Sequence, residues 1–170
     1  YIEVPTGLQP RAAFGLMTKA IAFFVPESLG VNAVEDCRDS GSYLNTLLDN
    51  EAENKIIDFA KEIANSIGNK TVIIYGGTQL TYLVAQRWKT QINENAKSKS
   101  YVGYMPEVHH NEILSWESDQ EGSKNNFHLI FLRDQSEHPK IKSRFEFTKE
   151  IVPKGIEISE IINIKSSNLI

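Results

Sequence analysis

The feature that most constrains the fold is the apolar run TVIIY at 71–75, which ends directly in Gly76-Gly77. A short run of β-branched and aromatic residues bounded by glycine is typical of a strand buried on both faces of a parallel sheet. Parallel strands are joined by crossover connections, which are usually helices. We therefore expect an α/β arrangement in which this strand leads into a helix capped by Thr78.

The segments after this strand alternate between helix-like and strand-like patterns. The predicted helix repeats its apolar residues at a spacing close to 3.6, which indicates one buried face; these residues are Leu80, Leu83, Val84, Trp88 and Ile92. Further strands are predicted at 101–105, 127–133 and 156–164. A short helix is predicted at 109–116, a polar connection at 119–126 and a charged surface helix at 138–152.

The first half of the chain is mainly helical in pattern, with helices predicted at 10–25, 40–49 and 51–67. Pro10 is expected in the first turn of its helix, where a missing N–H costs little. Alternation of strands and helices predicts a three-layer α/β/α sandwich around a mainly parallel sheet of four or five strands.

The length and amino-acid composition exclude several classes of protein. The 170 residues are enough for a single domain, 1–170, with its own core. A net charge of −4 without a basic tail argues against nucleic-acid binding. The single cysteine, Cys37, excludes an internal disulfide and fits a reducing compartment, and no apolar run approaches the roughly 20 residues of a membrane span. These features predict a cytoplasmic domain that neither binds nucleic acid nor enters a membrane.

Both ends of the sequence suggest part of a longer polypeptide. The chain begins at Tyr1 on a strand-like stretch, and it stops at KSSNLI just after another one, where an α/β domain often adds a covering helix.

The first candidate site is the turn formed by Gly76, Gly77 and Thr78. A strand, a glycine turn and a helix N-terminus together form an anion site, because free N–H groups and the helix dipole point at the ligand. The alternative is an ordinary strand-to-helix turn capped by threonine. No Walker lysine or dinucleotide fingerprint accompanies the glycines.

Two further candidates flank the predicted strand at 101–105. Glu94 follows the long helix inside QINENAK, where the negative helix end disfavours ionisation and so favours a general base; a solvated surface carboxylate is the alternative. His109 and His110 follow the strand, at the carboxyl end where parallel sheets bind ligands, and histidine suits proton transfer near neutrality. Their alternatives are backbone-bonded residues at a helix start, or a metal cluster with Glu107 and Glu112, which adjacent histidines do not favour because they point in different directions.

Arg11, in GLQPRAAFG, is expected just inside a helix start. A cation gains nothing from the helix dipole there, so another partner is expected: a phosphate, an enediolate or a carboxylate.

Three segments in this order carry a resemblance to a known family: PTGLQPRAAFG with Arg11, RWKTQINENAK with Glu94, and MPEVHHNEI with His110. They resemble the second half of the bifunctional phosphoglucose/phosphomannose isomerases, which belong to the phosphoglucose isomerase superfamily and are built from sugar isomerase (SIS) domains. The resemblance spans essentially the whole chain and implies the second of two SIS domains in a longer chain.

The resemblance implies an aldose–ketose isomerase that interconverts glucose 6-phosphate, and mannose 6-phosphate, with fructose 6-phosphate. Glu94 is then expected to move a proton between C1 and C2 through a cis-enediolate, and Arg11 to stabilise the developing negative charge. His110 is expected to assist ring opening from the neighbouring subunit of a homodimer. Gly76, Gly77, Thr78 and Asn93 are the other expected substrate contacts, and no metal or organic cofactor is implied.

The sequence departs from the family pattern in three respects. His109 stands where the family commonly has asparagine. The phosphate-binding serines and threonines lie mainly in the first SIS domain, and a ring-opening lysine would fall beyond Ile170. The 170-residue piece alone is therefore expected to be inactive. The alternatives are a regulatory SIS domain that binds a sugar phosphate without catalysis and an aminosugar-phosphate isomerase domain.

Overall fold

The computed structural model describes residues 2–48, 55–77 and 80–163, and the chain divides into two compact units, Tyr1–Lys61 and Glu62–Ile170. Among the described residues, none of the helices combines the length and the apolar character that a membrane span requires.

The first unit is helical. Helix α1 spans Phe14–Ala22, a short 3-10 helix spans Glu27–Leu29, and α2 spans Ala33–Leu48. The helix predicted at 10–25 therefore begins and ends within that range. The amides of Ala12 and Ala13 both bond to the carbonyl of Gln9 and close a turn before α1. Pro10 lies in this turn and not in the first turn of the helix, so that prediction was wrong.

Helix α2 begins earlier than the predicted 40–49. The side-chain oxygen of Asn32 accepts a hydrogen bond from the amide of Glu35 at 3.2 Å, which is an N-cap that favours a start at Ala33. Helix α3 spans Lys55–Ile67, and positions 49–54 of the predicted helices lie outside the described residues.

The second unit is built on a four-stranded, all-parallel sheet in the order β2-β1-β3-β4. Its strands are β1 (Thr71–Gly76), β2 (Ser100–Tyr104), β3 (Phe127–Asp134) and β4 (Glu157–Asn163). All four predicted strands are confirmed to within a residue at each end, except that position 164 lies outside the described residues. The helices of this unit after α3 are α4 (Leu80–Gln91), α5 (Val108–Asn111), α6 (Ser115–Ser118), α7 (Gln120–Asn126) and α8 (Pro139–Ile151).

Each face of the sheet carries its own apolar core. On one face, Ile63 of α3 and Ala85 of α4 pack on Val72 and Ile130 of the central strands. On the other face, Phe145 of α8 packs among residues of β1, β3, α5 and α6; these include Tyr75, Phe131, Val108 and Trp116. Helices on both faces of a parallel sheet form the predicted three-layer α/β/α sandwich, which is thereby confirmed.

Two local predictions in this unit were wrong. The polar connection at 119–126 is helix α7, because the Asp119 carboxylate accepts a hydrogen bond from the amide of Gly122 at 2.9 Å and caps it. The single helix predicted at 109–116 is two short helices, α5 and α6, separated by a turn.

The buried face of α4 also differs from the predicted one. Trp88 and Ile92 pack against the core as expected. The residues that are buried outright are Thr81 and Ala85, whereas three predicted core residues are exposed, namely Leu80, Leu83 and Val84. Small side chains face the sheet because the first turn of α4 passes very close to the end of β1.

Candidate functional site

Because all strands run in the same direction, the candidate residues lie at two opposite sides of the sheet, where the strands end and where they begin. All four strands run the same way, so their last residues meet at one edge, here called the carboxyl edge, and their first residues at the opposite amino edge. Helix α4 carries the chain from the end of β1 back to the start of β2. Segments after β1 and β2 therefore belong to the carboxyl edge, and the segment between α4 and β2 belongs to the amino edge.

At the carboxyl edge, Gly76 and Gly77 bring α4 close to β1. A side chain at Gly76 would place its Cβ 2.7 Å from the Thr81 carbonyl oxygen and from the backbone of Tyr82. The amide of Gly77 donates to the Thr81 hydroxyl at 2.8 Å, so this N–H already has a partner. Both observations fit the packing role of a strand-to-helix turn. Thr78 lies outside the described residues, and substrate binding at this turn stays a prediction.

Gly76→Ala is expected to lower the free energy of unfolding by about 1–3 kcal/mol, because backbone atoms of α4 must move to admit the methyl group. Urea titration followed by circular dichroism measures the change. Gly41→Ala is the matched control, since a Cβ there meets nothing within 4 Å, and alanine in the interior of α2 should stabilise by about 0.5–1 kcal/mol. Equal effects of the two substitutions would contradict the close approach of α4 to β1.

The two adjacent histidines of α5 have different surroundings. The Nδ1 atom of His109 lies 3.2 Å from a guanidinium nitrogen of Arg144, and its Nε2 atom lies 2.8 Å from the Thr148 hydroxyl, both on α8. The ring also meets Phe147 edge-on. Burial, with the positive charge of Arg144, lowers the pKa of His109. His110 is exposed.

A polar chain that the sequence did not indicate lies beneath α5. The hydroxyl of Tyr75 in β1 donates to the Glu112 carboxylate at 3.0 Å and accepts from the Trp116 indole N–H at 3.1 Å. Burial and the Glu112 charge raise the pKa of Tyr75, so the phenol stays protonated and remains a donor. A tyrosine inside a buried-strand pattern was the only available signal, since a buried phenol usually finds a partner.

The alternative of a metal cluster finds no geometric support. His109 is bonded to α8 and Glu112 to β1, and the Glu107 carboxylate accepts a hydrogen bond from the side-chain amide of Asn111 at 3.0 Å. Across the described residues, no three His, Cys, Asp or Glu side chains come together in a way that could hold an ion.

At the amino edge, the end of α4 widens into a π-helical segment, Ile92–Ala96, that contains Glu94. Lys97 then adopts a left-handed conformation with φ of 55°, and its ammonium group donates to the Glu94 carbonyl at 2.6 Å. The Asn93 side-chain amide donates to the Ser98 carbonyl at 2.8 Å and ties this turn together. The Glu94 side chain is exposed. Single π-helical turns occur frequently at functional sites, and no sequence pattern had indicated this one.

Glu94 and His110 thus lie at opposite edges of the same sheet. Strand β2 separates them, and its five residues span about 16 Å. A proton-transfer group must lie within hydrogen-bond reach of the atom it serves. One copy of this unit therefore does not bring both side chains to a single reacting centre.

Arg11 belongs to the first unit and is half-buried. The expectation that it lies just inside a helix was wrong, because the turn closed on the Gln9 carbonyl separates it from α1, which begins at Phe14.

Comparison with known proteins supplies relatives for the whole chain. A bifunctional phosphoglucose/phosphomannose isomerase from Aquifex aeolicus is 35% identical over 150 residues, which are 88% of this chain and 43% of the relative. A protein of the same name from Caldicellulosiruptor bescii is 33% identical over 175 residues, covering 99% of this chain and 50% of the relative. The chain spans about half the length of these curated relatives.

Among solved structures, the C-terminal domain of glucosamine-fructose-6-phosphate aminotransferase from Francisella tularensis is similar with a TM-score of 0.56. The match covers 95% of this chain and 49% of that one at 13% identity, which shows a shared fold. The family model described as the bacterial phospho-glucose isomerase C-terminal SIS domain matches residues 57–169. The resemblance noted in the sequence is thereby confirmed, and the chain belongs to this family of bacterial phospho-glucose isomerase C-terminal SIS domains.

Proposed function

We propose that this chain is the second of two SIS domains in a longer protein that interconverts glucose 6-phosphate and mannose 6-phosphate with fructose 6-phosphate. The observation that carries the proposal is the exposure of both Glu94 and His110 within the part that matches the family, 57–169, while the neighbouring His109 is tied to α8. The names of the relatives support the choice of substrates.

In the proposed reaction, the Glu94 carboxylate removes the proton from C2 of the open-chain aldose to form a cis-enediolate. It returns that proton to C1 while the hydroxyl proton on O2 passes to O1, which gives the ketose. Arg11 stabilises the negative charge on the enediolate oxygens, and His110 transfers the proton that opens the sugar ring. Every step moves protons only, so the proposal needs neither a metal nor an organic cofactor.

The separation of Glu94 from His110 supports a site shared between two copies of the chain. A homodimer in which the carboxyl edge of one copy faces the amino edge of its partner would supply both groups to one sugar. The exposed apolar residues of α4 support burial of that helix face in such an assembly; they are Leu80, Leu83 and Val84, of which Leu83 is 65% exposed.

The remaining contacts follow from the same arrangement. Asn93 holds the turn that carries Glu94, and its side-chain oxygen is a candidate acceptor for a sugar hydroxyl. The turn at Gly76, Gly77 and Thr78 is the candidate phosphate contact on the edge that carries His110. The single cysteine, Cys37, supports a location in the reducing cytoplasm, where disulfides are rare.

The direct test is an assay of the longer protein with fructose 6-phosphate, following glucose 6-phosphate and mannose 6-phosphate separately and measuring sugar-phosphate binding alongside. Turnover to both aldoses is expected. Binding without turnover would contradict the isomerase and favour the regulatory SIS domain, and turnover to glucose 6-phosphate alone would contradict the dual specificity.

A further inference from the structure

Helix α5, which carries His110, has only four residues, Val108–Asn111. A helix of this length has no stability of its own, since isolated helices below about 12 residues are marginal in water. Contacts to other elements must therefore fix the direction in which His110 points. Two polar side chains beside it, His109 and Glu112, make such contacts.

The first contact fixes α5 to α8 and has only one consistent assignment of protons. The guanidinium of Arg144 can only donate, so Nδ1 of His109 must accept, and the ring is neutral with its proton on Nε2. That N–H donates to the Thr148 hydroxyl, which in turn donates to the Arg144 carbonyl at 2.8 Å. Thr148 is fully buried, so this part of the network is protected from water.

The second contact is made by Glu112, the residue directly after α5, and fixes the end of the helix to the sheet. The Glu112 carboxylate accepts from Tyr75, whose hydroxyl is itself held by the Trp116 indole. Tyr75 is fully buried and Trp116 is 7% exposed. A charge-assisted hydrogen bond to a buried partner is among the stronger single contacts in a protein.

The helical period places both contacts on the inner face. Successive residues of an α-helix lie about 100° apart, so positions 109 and 112 are about 60° apart, while position 110 is about 100° and 160° from them. His109 and Glu112 thus hold one side of the turn, and His110 is left on the exposed side.

We propose that His109 and Glu112 are positioning residues that fix the direction of His110 by binding α5 to α8 and to β1. The inference rests on the proposed function, because it assigns the two side chains to the proton transfer by His110. A misplacement of about 1 Å can cost on the order of a hundred-fold in rate, so loosening either contact should slow the reaction.

The test compares removal of each contact with a conservative replacement in the longer protein. His109→Leu and Glu112→Ala are expected to lower kcat about ten- to a hundred-fold while KM changes little. His109→Gln can still accept from Arg144 and donate to Thr148, and Glu112→Gln can still accept from Tyr75, so both should retain most of the activity. Thermal unfolding of each variant shows whether it is folded at the assay temperature.

A double-mutant cycle with His110→Ala separates positioning from a general structural role. If His109 and Glu112 act through His110, adding His109→Leu or Glu112→Ala to His110→Ala should lower kcat no further. Additive losses, or an unchanged kcat in the single variants, would overturn the inference while leaving the isomerase intact. Absence of turnover in the wild-type protein would overturn both proposals.

Discussion

Glu94→Gln in the longer protein is expected to lower kcat by a factor of about a thousand or more, which corresponds to about 4 kcal/mol of transition-state stabilisation. Glutamine keeps the size of Glu94 and one acceptor oxygen but does not accept the proton from C2. Sugar-phosphate binding should therefore survive while turnover is lost. Steady-state assays of fructose 6-phosphate conversion, with binding measured by calorimetry, check both parts of this result.

The matched control is Glu117→Gln, which removes an exposed carboxylate from α6 at a position with no assigned part in the reaction. It should leave kcat and KM close to the wild-type values. Retention of full activity by Glu94→Gln would rule out this residue as the base.

Arg133→Met is expected to lower the free energy of unfolding at pH 7 by about 3–5 kcal/mol, because it leaves the carboxylate of Glu137, whose side chain is only 10% exposed, without its cation. The side chain of Arg133, at the end of β3, is 6% exposed. It bonds to Glu137, to Glu146 at 2.7 Å and to Glu160, and it lies over the ring of Phe145 with 5.1 Å to the centroid. Chemical denaturation of both proteins measures the difference.

The matched control for this network is Lys149→Met. Lys149 bonds to Glu160 at 2.9 Å and to Glu146 at 3.2 Å, but all three side chains are partly exposed. Its removal should cost less than about 1 kcal/mol. Losses of equal size in the two variants would contradict the burial argument.

The free energy of unfolding at acidic pH should also depend on this network, because its carboxylates become protonated there. Hydrogen bonding from Arg133 lowers the pKa of Glu146, and bonds from Lys149 and Arg133 lower the pKa of Glu160 against the opposing effect of burial. Because these folded-state pKa values lie below the unfolded value of 4.5, the stabilisation is complete above pH 4.5 and is lost as pH falls through them. Arg133→Met should therefore show a shallower loss of stability below pH 4.5 than the wild type.

The strands could be predicted from the sequence because their signal is local. Strands β1 and β3 are largely buried on both faces and read as mainly apolar runs, TVIIY and FHLIFLR. The inner face of α4 could not be predicted, because it depends on a distance between elements. Because α4 passes very close to β1 at Gly76, the small residues Thr81 and Ala85 face the sheet. Leu83 is exposed to solvent, although the apolar pattern had placed it on the buried face.

The candidate site likewise contains some residues that the sequence could indicate and some contacts that it could not. Glu94 and His110 were selected as candidates from local motifs, and their exposure agrees with the roles proposed for them. The contacts around His110 join residues far apart in sequence, such as His109 with Thr148 and Tyr75 with Glu112, so no local pattern carries them. Once the strands are known to be parallel, however, the opposite placement of Glu94 and His110 follows directly from the order of α4 and β2.

The measurement that tests the shared site most directly is subunit complementation between Glu94→Gln and His110→Ala in the longer protein. Each variant alone should be nearly inactive. After the two are mixed and allowed to exchange subunits, mixed dimers carry one site with both groups intact, and activity should return to about a quarter of the wild-type rate, since half of the dimers are mixed and one of their two sites works. Mass spectrometry checks that mixed dimers have formed. If they have, and the mixture is as inactive as the two single variants, then Glu94 and His110 do not act across two copies and the proposed site is wrong.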